Sequence, residues 1–302
     1  MPEHFSNEIS QAVLQTLLYS DVFDFPLTAQ EVHRFLHGKL ATYDEVLQAL
    51  SEDPRFIKKE NYFTLIGREE LVDIRKQRES RSRKLMPYAL KYGRVLGSLP
   101  FVRMVALTGS LAVLNISTIA DFDYLLVTHP GRLWTARAFA LLFGRLTRRL
   151  GHTICPNLLI SENCLEWHPH DLYSARELCQ MIPITGQDVY RELMKTNEWV
   201  KKFLPNVIRE PGGLPPNEQK QTSALQKTLE LFLRGGLGEG FEQWEMNRKI
   251  ARFSKQEGFG EETVFTAELC QGNFDHHRSW TEKELQQRSS RFDMEELSVK
   301  AA

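Results

Sequence analysis

The first 66 residues carry a hydrophobic pattern that predicts short helices followed by a hairpin. Near the start, apolar residues recur with helical spacing at Val13, Leu14, Leu17 and Leu18. Thr28-Ala-Gln-Glu31 and Thr42-Tyr-Asp-Glu45 match the capping box, in which a threonine hydroxyl and a glutamate carboxylate bond free amides at a helix start. Two β-rich runs, Arg55–Lys59 and Tyr62–Ile66, then flank Glu60-Asn61 and predict a strand, a turn and a second strand.

The middle of the chain has a different pattern. Residues 68–98 predict a long helix with a break near Pro87. From 99 to 205, apolar strand-like runs alternate with helical ones, an order that indicates α/β or α+β architecture. The expected strands are Val102–Leu107, Phe122–Val127 and Thr153–Ser161, and the expected helices are Arg132–Leu150, 170–181 and 186–204.

The last third begins with the clearest linker of the sequence. Proline and glycine cluster between Arg209 and Asn217, where neither a helix nor a strand is favoured. A helix is expected at 221–234, a glycine turn at 235–240, and more helix to the end.

The helices and hairpin of residues 8–66 resemble a winged-helix domain. With that resemblance the chain divides into a winged-helix-like domain (1–67), a basic linking helix (68–98), a core (99–205), and a linker with a C-terminal helical region (206–302). The linking helix holds nine Lys or Arg against four Asp or Glu, most densely between Arg75 and Lys84. Such a run is either a solvated helix face or a phosphate-facing surface beside an active site.

Composition narrows the class of protein. Thirty-eight basic and thirty-nine acidic residues give a net charge of −1. The chain therefore has no overall positive charge that would attract nucleic acid or an anionic membrane. It contains no apolar run of the length that a bilayer requires, and its N-terminus does not resemble a signal peptide. Its four scattered cysteines do not form a disulfide framework. We therefore expect a soluble cytoplasmic protein.

The candidate chemistry lies where two apolar strands meet polar residues. The run Val105–Leu107 leads into Gly109-Ser110, and Asp121 and Asp123 open the next strand. Residues i and i+2 share one face of a strand, so both carboxylates project together. A divalent cation such as Mg²⁺ suits paired carboxylates, and a glycine lets the backbone approach a phosphate closely.

This arrangement resembles the signature of the nucleotidyltransferase fold, the DNA polymerase beta superfamily, over about residues 99–161. The resemblance implies that Gly109 and Ser110 contact a triphosphate and that Asp121 and Asp123 bind Mg²⁺ or Mn²⁺ and serve catalysis. It also implies an α+β fold, in which a mixed-sheet nucleotidyltransferase core is flanked by an N-terminal winged helix and a C-terminal helical region.

One position departs from that family. Active members carry a third carboxylate on a later strand, where it helps to deprotonate the attacking hydroxyl. The corresponding strand here, Ile154–Ile160, contains no acid. Asn157 is a weak metal-ligand candidate there, and Glu162, just past the strand, is the alternative acid. Arg132, after the second strand, is a weak candidate for phosphate binding.

Two histidine-containing runs are weaker candidates for a site. Asp275-His276-His277 contains metal-ligand residue types, but adjacent histidines on a helix point apart. We expect His168-Pro169-His170 to form a loop.

The resemblance implies an enzyme that transfers a nucleoside monophosphate from an NTP to a hydroxyl and releases pyrophosphate. The acceptor stays open among a small molecule, a protein and an RNA. One alternative is a nucleotide-binding protein without turnover, because the third acid is missing. Another is a winged-helix DNA-binding regulator with a nucleotide-sensing domain. The charge of the presumed recognition segment, Thr42–Pro54, does not favour DNA binding, because the segment has four acidic residues and no Lys or Arg. Protein contacts or intramolecular packing suit this domain better.

Overall fold

A computed structural model describes residues 2–117, 121–207 and 224–301. The N-terminal part contains the helices α1 (Pro2–Asp21), α2 (Ala29–Arg34) and α3 (Tyr43–Glu52) and the strands β1 (Leu27–Thr28), β2 (Phe56–Lys59) and β3 (Tyr62–Leu65). The strands form an antiparallel sheet in the order β1-β3-β2. The predicted hairpin is confirmed, whereas the two-residue strand β1 is too short to give a sequence signal.

Both predicted capping boxes are confirmed. The amide of Glu31 donates to Thr28 Oγ1 at 3.2 Å, and the Glu31 carboxylate accepts from the Thr28 amide at 2.8 Å. Thr42 and Glu45 form the same reciprocal pair at the start of α3. These bonds satisfy amides that the first turn of a helix leaves free, and so they set where α2 and α3 begin.

The predicted break at Pro87 is wrong. Helix α4 (Leu71–Leu96) runs through Pro87 without interruption. Proline removes one backbone hydrogen bond of a helix. Packing on both sides of Pro87 outweighs that loss. The first half of α4 packs against the N-terminal part, and the second half buries Ala89, Tyr92 and Leu96 under the central sheet.

The central sheet is mixed, which makes the fold α+β as expected. Its strands are β4 (Val102–Leu107), β5 (Asp121–Thr128), β6 (Thr153–Ser161), β7 (Ile182–Thr185), β8 (Thr263–Phe265) and β9 (Leu269–Gly272), in the order β7-β4-β5-β6-β9-β8. Strands β5 and β6 are parallel and are joined through α6 (Leu133–Arg149), while the other neighbours are antiparallel. The short helix α5 (Gly109–Ala112) follows β4.

Strand β5 separates two hydrophobic cores. Its residues Phe122, Tyr124 and Leu126 pack with α4 and α6 on one face. Leu125 and Val127 pack on the other face against α7 (Leu172–Gln180) and α8 (Gln187–Thr196). This alternation places Asp121 and Asp123 on the same face as α7.

The helix predicted at 186–204 is interrupted. It divides into α8 and a 3₁₀ turn at Glu198–Lys202, with Asn197 between them. The Asn197 side chain accepts from the Trp167 amide and donates to the Leu165 carbonyl. Asn197 thereby bonds a neighbouring loop, and the helix ends there.

The expectation that the C-terminal region is helical is wrong in part. The region contains α9 (Ala224–Leu233), α10 (Gly236–Phe253) and α11 (His277–Ala301), but β8 and β9 extend the central sheet beside β6. Strands of three and four residues are too short to show periodicity. Pairing with β6 stabilises β9, and pairing with β9 stabilises β8. The predicted glycine turn lies mostly within α10, and the predicted linker Arg209–Asn217 lies outside the described residues. None of the described helices has the length and apolar character needed to cross a bilayer.

Helix α10 holds the core through a buried carboxylate. The two carboxylate oxygens of Glu242 accept from the amides of Trp134 and Thr135, at 2.8 and 2.7 Å, in the first turn of α6. A negative charge at a helix N-terminus is favourable, and buried amides left without acceptors are costly. Glu242 therefore fixes the start of α6 from another helix.

We predict that Glu242→Gln destabilises the protein by about 2 kcal/mol, because the amide group removes the charge and one acceptor. Urea unfolding followed by circular dichroism measures the effect. Glu282→Gln, at an exposed position of α11, is the matched control and is expected to change stability by less than about 0.5 kcal/mol. Equal stability of the two variants would contradict the capping role.

Candidate functional site

The turn between β4 and α5 brings the backbone of Gly109 against the carboxylate of Asp123. Gly109 has φ +65°, and a Cβ at this position would lie 2.6 Å from Asp123 Oδ2. The amide of Thr108 donates to the Asp123 carbonyl at 2.9 Å, which fixes the turn against β5. Both the backbone conformation and the close contact require glycine here. The Ser110 side chain, next in the chain, is exposed.

The aspartate pair opens β5, as the sequence predicts. Asp121 is exposed and Asp123 is half-buried. Burial, together with the nearby charge of Asp121, raises the pKa of Asp123 to about 7. Cys155 is the register partner of Asp123 on β6, and its thiol is hydrogen-bonded to that carboxylate. Burial raises the pKa of Cys155 to about 12, so the thiol keeps its proton and donates.

A third carboxylate approaches the pair from α7. Glu177 shares with Asp123 the face of the sheet that α7 covers, and the two are electrostatically coupled. Burial first, and the charge of Asp123 second, raise the pKa of Glu177 to about 7. Glu177 was not among the candidates from the sequence. Its only signal is an acid between Ala175 and Leu178, two buried positions of an amphipathic helix.

A cavity of about 120 Å³ lies beside these groups. Its lining includes Thr108, Glu177 and Asn157. Asn157 is exposed and sits at a β-bulge, between the pairs Pro156–Tyr124 and Leu158–Leu125. The bulge explains why Asn157 faces the cavity while its neighbours on β6 are buried. The structure thus brings Gly109, Asp123, Asn157 and Glu177 to one region.

Two other candidates lie at the opposite end of β5. Glu162 follows Ser161, the register partner of Thr128, about 20 Å from Asp121 by the rise of a strand. Arg132 lies past the end of β5, where it is buried and donates to Glu239 at 2.6 Å and to the Arg234 carbonyl. Neither residue is placed to act with the aspartate pair.

The donor set around Asp123 fits a hard divalent cation. Asp121 and Asp123 offer carboxylate oxygens and Asn157 an amide oxygen, the ligands that Mg²⁺ and Mn²⁺ prefer. Burial and the charge of Asp121 raise the pKa of Asp123 more than the hydrogen bond from Cys155 lowers it. A bound cation would compensate the negative charge of the pair.

A different set of potential ligands lies on the surface. Glu166, His168 and His170 are exposed, and one ligand atom of each lies within 4.8 Å of the others. His168-Pro169-His170 forms a loop, as predicted, with the His170 ring stacked on Trp199 at 4.4 Å. In the second histidine-containing run, Asp275 and His276 precede α11 and His277 begins it. His277 lies 3.8 Å from the Asp275 carboxylate.

Comparison with models of protein families, with curated proteins and with solved structures finds no match for this chain.

We predict that Asp123→Asn stabilises the protein above pH 7. The folded state of the wild type binds a proton at Asp123 between pH 4 and 7 that the unfolded state has lost, so wild-type stability falls as the pH rises through that interval. The asparagine variant escapes this loss. Its advantage is expected to grow from pH 4 to pH 7 and to reach about 2 kcal/mol.

Urea unfolding at pH 5 and pH 8 measures this difference. Asp44→Asn, at an exposed position of α3, is the control and is expected to give no such gain. If Asp123→Asn were no more stable than wild type at pH 8, Asp123 would not carry an uncompensated charge.

Proposed function

We propose that the protein is a metal-dependent nucleotidyltransferase, with a nucleotidyltransferase-fold core and an N-terminal winged helix. The observation that carries this proposal is the contact between the Gly109 turn and the Asp123 carboxylate, with Asp121 beside it and Glu177 opposite. The glycine turn gives phosphate oxygens access to backbone, and the carboxylates hold a cation next to it.

Each group has a role in the proposed reaction. The backbone at Gly109 and the exposed hydroxyl of Ser110 contact the β- and γ-phosphates of the NTP. Asp121 and Asp123 hold the divalent cation, with Asn157 as a further oxygen ligand. The cation, when bound, neutralises the negative charge of the triphosphate. Glu177 takes the place of the missing strand carboxylate.

Glu177 is suited to act as the general base. A carboxyl with a pKa of about 7 is half ionised at neutral pH and accepts a proton more readily than an ordinary glutamate. In the proposed step, the acceptor hydroxyl loses its proton to Glu177 while its oxygen attacks the α-phosphorus. The bond from that phosphorus to the bridging oxygen breaks, and pyrophosphate leaves.

The packing of the N-terminal part does not favour a DNA-binding function. The amide of Gly38 donates to the Phe203 carbonyl, and the Asn206 side chain bridges the Ala41 amide and the His33 carbonyl. These contacts attach the proposed winged helix to the core. The sequence of α3 carries Asp44, Glu45 and Glu52, which repel a DNA backbone. Intramolecular packing accounts for this part better than groove binding does.

We predict that the wild type binds an NTP in the presence of Mg²⁺ and loses most of that affinity in EDTA. The double variant Asp121→Ala/Asp123→Ala is expected to bind at least tenfold more weakly, because it loses the proposed cation ligands. Calorimetric titration of each of the four NTPs measures this. Asp44→Ala is the control for folding and for the loss of an exposed acid. Failure of the folded wild type to bind any NTP would overturn the proposal.

We predict that Glu177→Gln lowers nucleotidyl transfer at least 100-fold while leaving NTP affinity within about threefold. Transfer of α-labelled nucleotide to a panel of hydroxyl acceptors measures the rate, and the wild-type rate is expected to rise with pH up to about pH 7, as Glu177 ionises. Glu162→Gln, at the far end of β6, is the matched control and should keep full activity. NTP binding without transfer to any acceptor would favour the nucleotide-binding alternative.

A further inference from the structure

A second cavity, of about 270 Å³, lies between the N-terminal part and the core. Its walls come from α2, α4, α7, β7 and the segment Ala112–Leu114 that ends α5 and follows it. Helix α7 separates it from the candidate active site, because Arg176 and Cys179 line this cavity whereas Tyr173 and Glu177 line the other. The two cavities are therefore distinct, with one shared wall.

Arg176 brings an under-satisfied cation to this cavity. Its side chain is 1% exposed and lies between the rings of Tyr19 and Phe35, with centroids 4.8 and 4.5 Å from Cζ. Its Nη2 donates to the Ser20 hydroxyl, while its Nε and Nη1 have no hydrogen-bond partner among the described residues. Burial lowers the pKa of Arg176 to about 10, so the side chain still carries its charge at neutral pH.

Arg75, from the basic run of α4, reaches the same cavity. It is 3% exposed, its Cζ lies 3.6 Å from the centroid of the Phe25 ring, and its Nη2 donates to Glu31 at 2.9 Å. Its Nε and Nη1 have no hydrogen-bond partner in the part of the chain that the structure describes, and Nε forms an ion pair with Glu79 at 3.7 Å. A third arginine, Arg34, lines the rim and is exposed.

The charges of this lining do not balance. Three arginines line the cavity, and they are accompanied by two acids, Glu31 in the lining and Glu79 at 3.7 Å from Arg75 Nε. An excess of one positive charge remains. Buried guanidinium nitrogens without acceptors are costly, and the cost is relieved when an anion supplies them. The remaining wall is largely apolar, with Phe25, Leu27, Met181 and Met194 among its residues.

We propose that this cavity binds a small organic dianion, a phosphomonoester whose phosphate contacts the arginines and whose apolar body contacts the surrounding hydrophobic wall. Guanidinium groups match phosphate geometry, and phosphate oxygens would supply acceptors to the Arg176 and Arg75 nitrogens that have no hydrogen-bond partner among the described residues. The volume suits a small ligand, since sites for drug-sized molecules begin at about 300 Å³. The site is independent of the proposed nucleotidyl transfer.

The test is calorimetric titration of the full chain with phenyl phosphate at low salt and in EDTA. Inorganic phosphate is expected to bind at least tenfold more weakly because it lacks the apolar body, and phenol should not bind because it lacks the charge. Equal affinity for phenyl phosphate and inorganic phosphate would overturn the assignment of an organic ligand.

Two substitutions give opposite expected effects at this site. Arg34→Gln removes an exposed cation from the rim and should weaken phenyl phosphate binding about tenfold. Glu31→Gln keeps the capping-box geometry but removes the acid that accepts from Arg75 in the lining, so binding should tighten about threefold. Arg191→Gln, an exposed arginine of α8, is the control and should leave affinity unchanged.

The double variant Asp121→Ala/Asp123→Ala shows which cavity the probe occupies. Retained phenyl phosphate binding there supports the proposal, whether or not NTP binding is found. Loss of phenyl phosphate binding in that variant, or no binding of the probe to folded wild type, would overturn it.

Discussion

The close contact between Gly109 and the Asp123 carboxylate constrains the rest of the candidate site. It requires a left-handed residue without a Cβ at the end of β4, and it holds a half-buried carboxylate against that residue. Neither feature helps the protein to fold. Burial of the Asp123 carboxylate raises its pKa, so the ionised carboxylate lowers the stability of the fold at neutral pH. The stability has to come from the two cores that β5 separates. Such a local cost in a well-packed sheet is typical of a functional site.

Helix α7 contacts both the candidate site and the N-terminal part. Glu177 faces the aspartates from one side of the helix, and Arg176 is held between Tyr19 and Phe35 on the other. The N-terminal part thus positions the helix that carries the third carboxylate. Strand β9 pairs with β6, and its residue Gln271 lines the cavity of about 120 Å³ on the side away from α7. The candidate site is formed by residues between 108 and 177, and segments from both ends of the chain pack around it.

Local signals in the sequence predict local features well. The capping boxes at Thr28 and Thr42, the hairpin at 56–65 and the strands that carry Gly109 and Asp123 follow from spacing within a few residues. The features that sequence reasoning missed depend on long-range packing. Glu177 approaches Asp123 only because α7 covers that face of the sheet. Strand β9 forms on the edge of β6, and β8 forms on β9. Helix α4 continues past Pro87 because each of its halves packs against another part of the fold. No pattern inside those segments reports these partners.

The net charge of −1 hides a separation of charge across α7. On one side, Asp121, Asp123 and Glu177 concentrate negative charge, and on the other, Arg75 and Arg176 concentrate positive charge with buried nitrogens that have no hydrogen-bond partner among the described residues. Charges of opposite sign placed close together would neutralise each other as ion pairs, but a helix and its side chains keep these two groups apart. Arg75 is compensated in part by Glu31 and Glu79, whereas Arg176 has two nitrogens without a hydrogen-bond partner among the described residues. The proposed cation would complete the acidic group and the proposed anion the basic one. The sequence leaves open whether the basic run of α4 faces solvent or a phosphate. Arg75, its most buried member, lines a cavity rather than facing solvent.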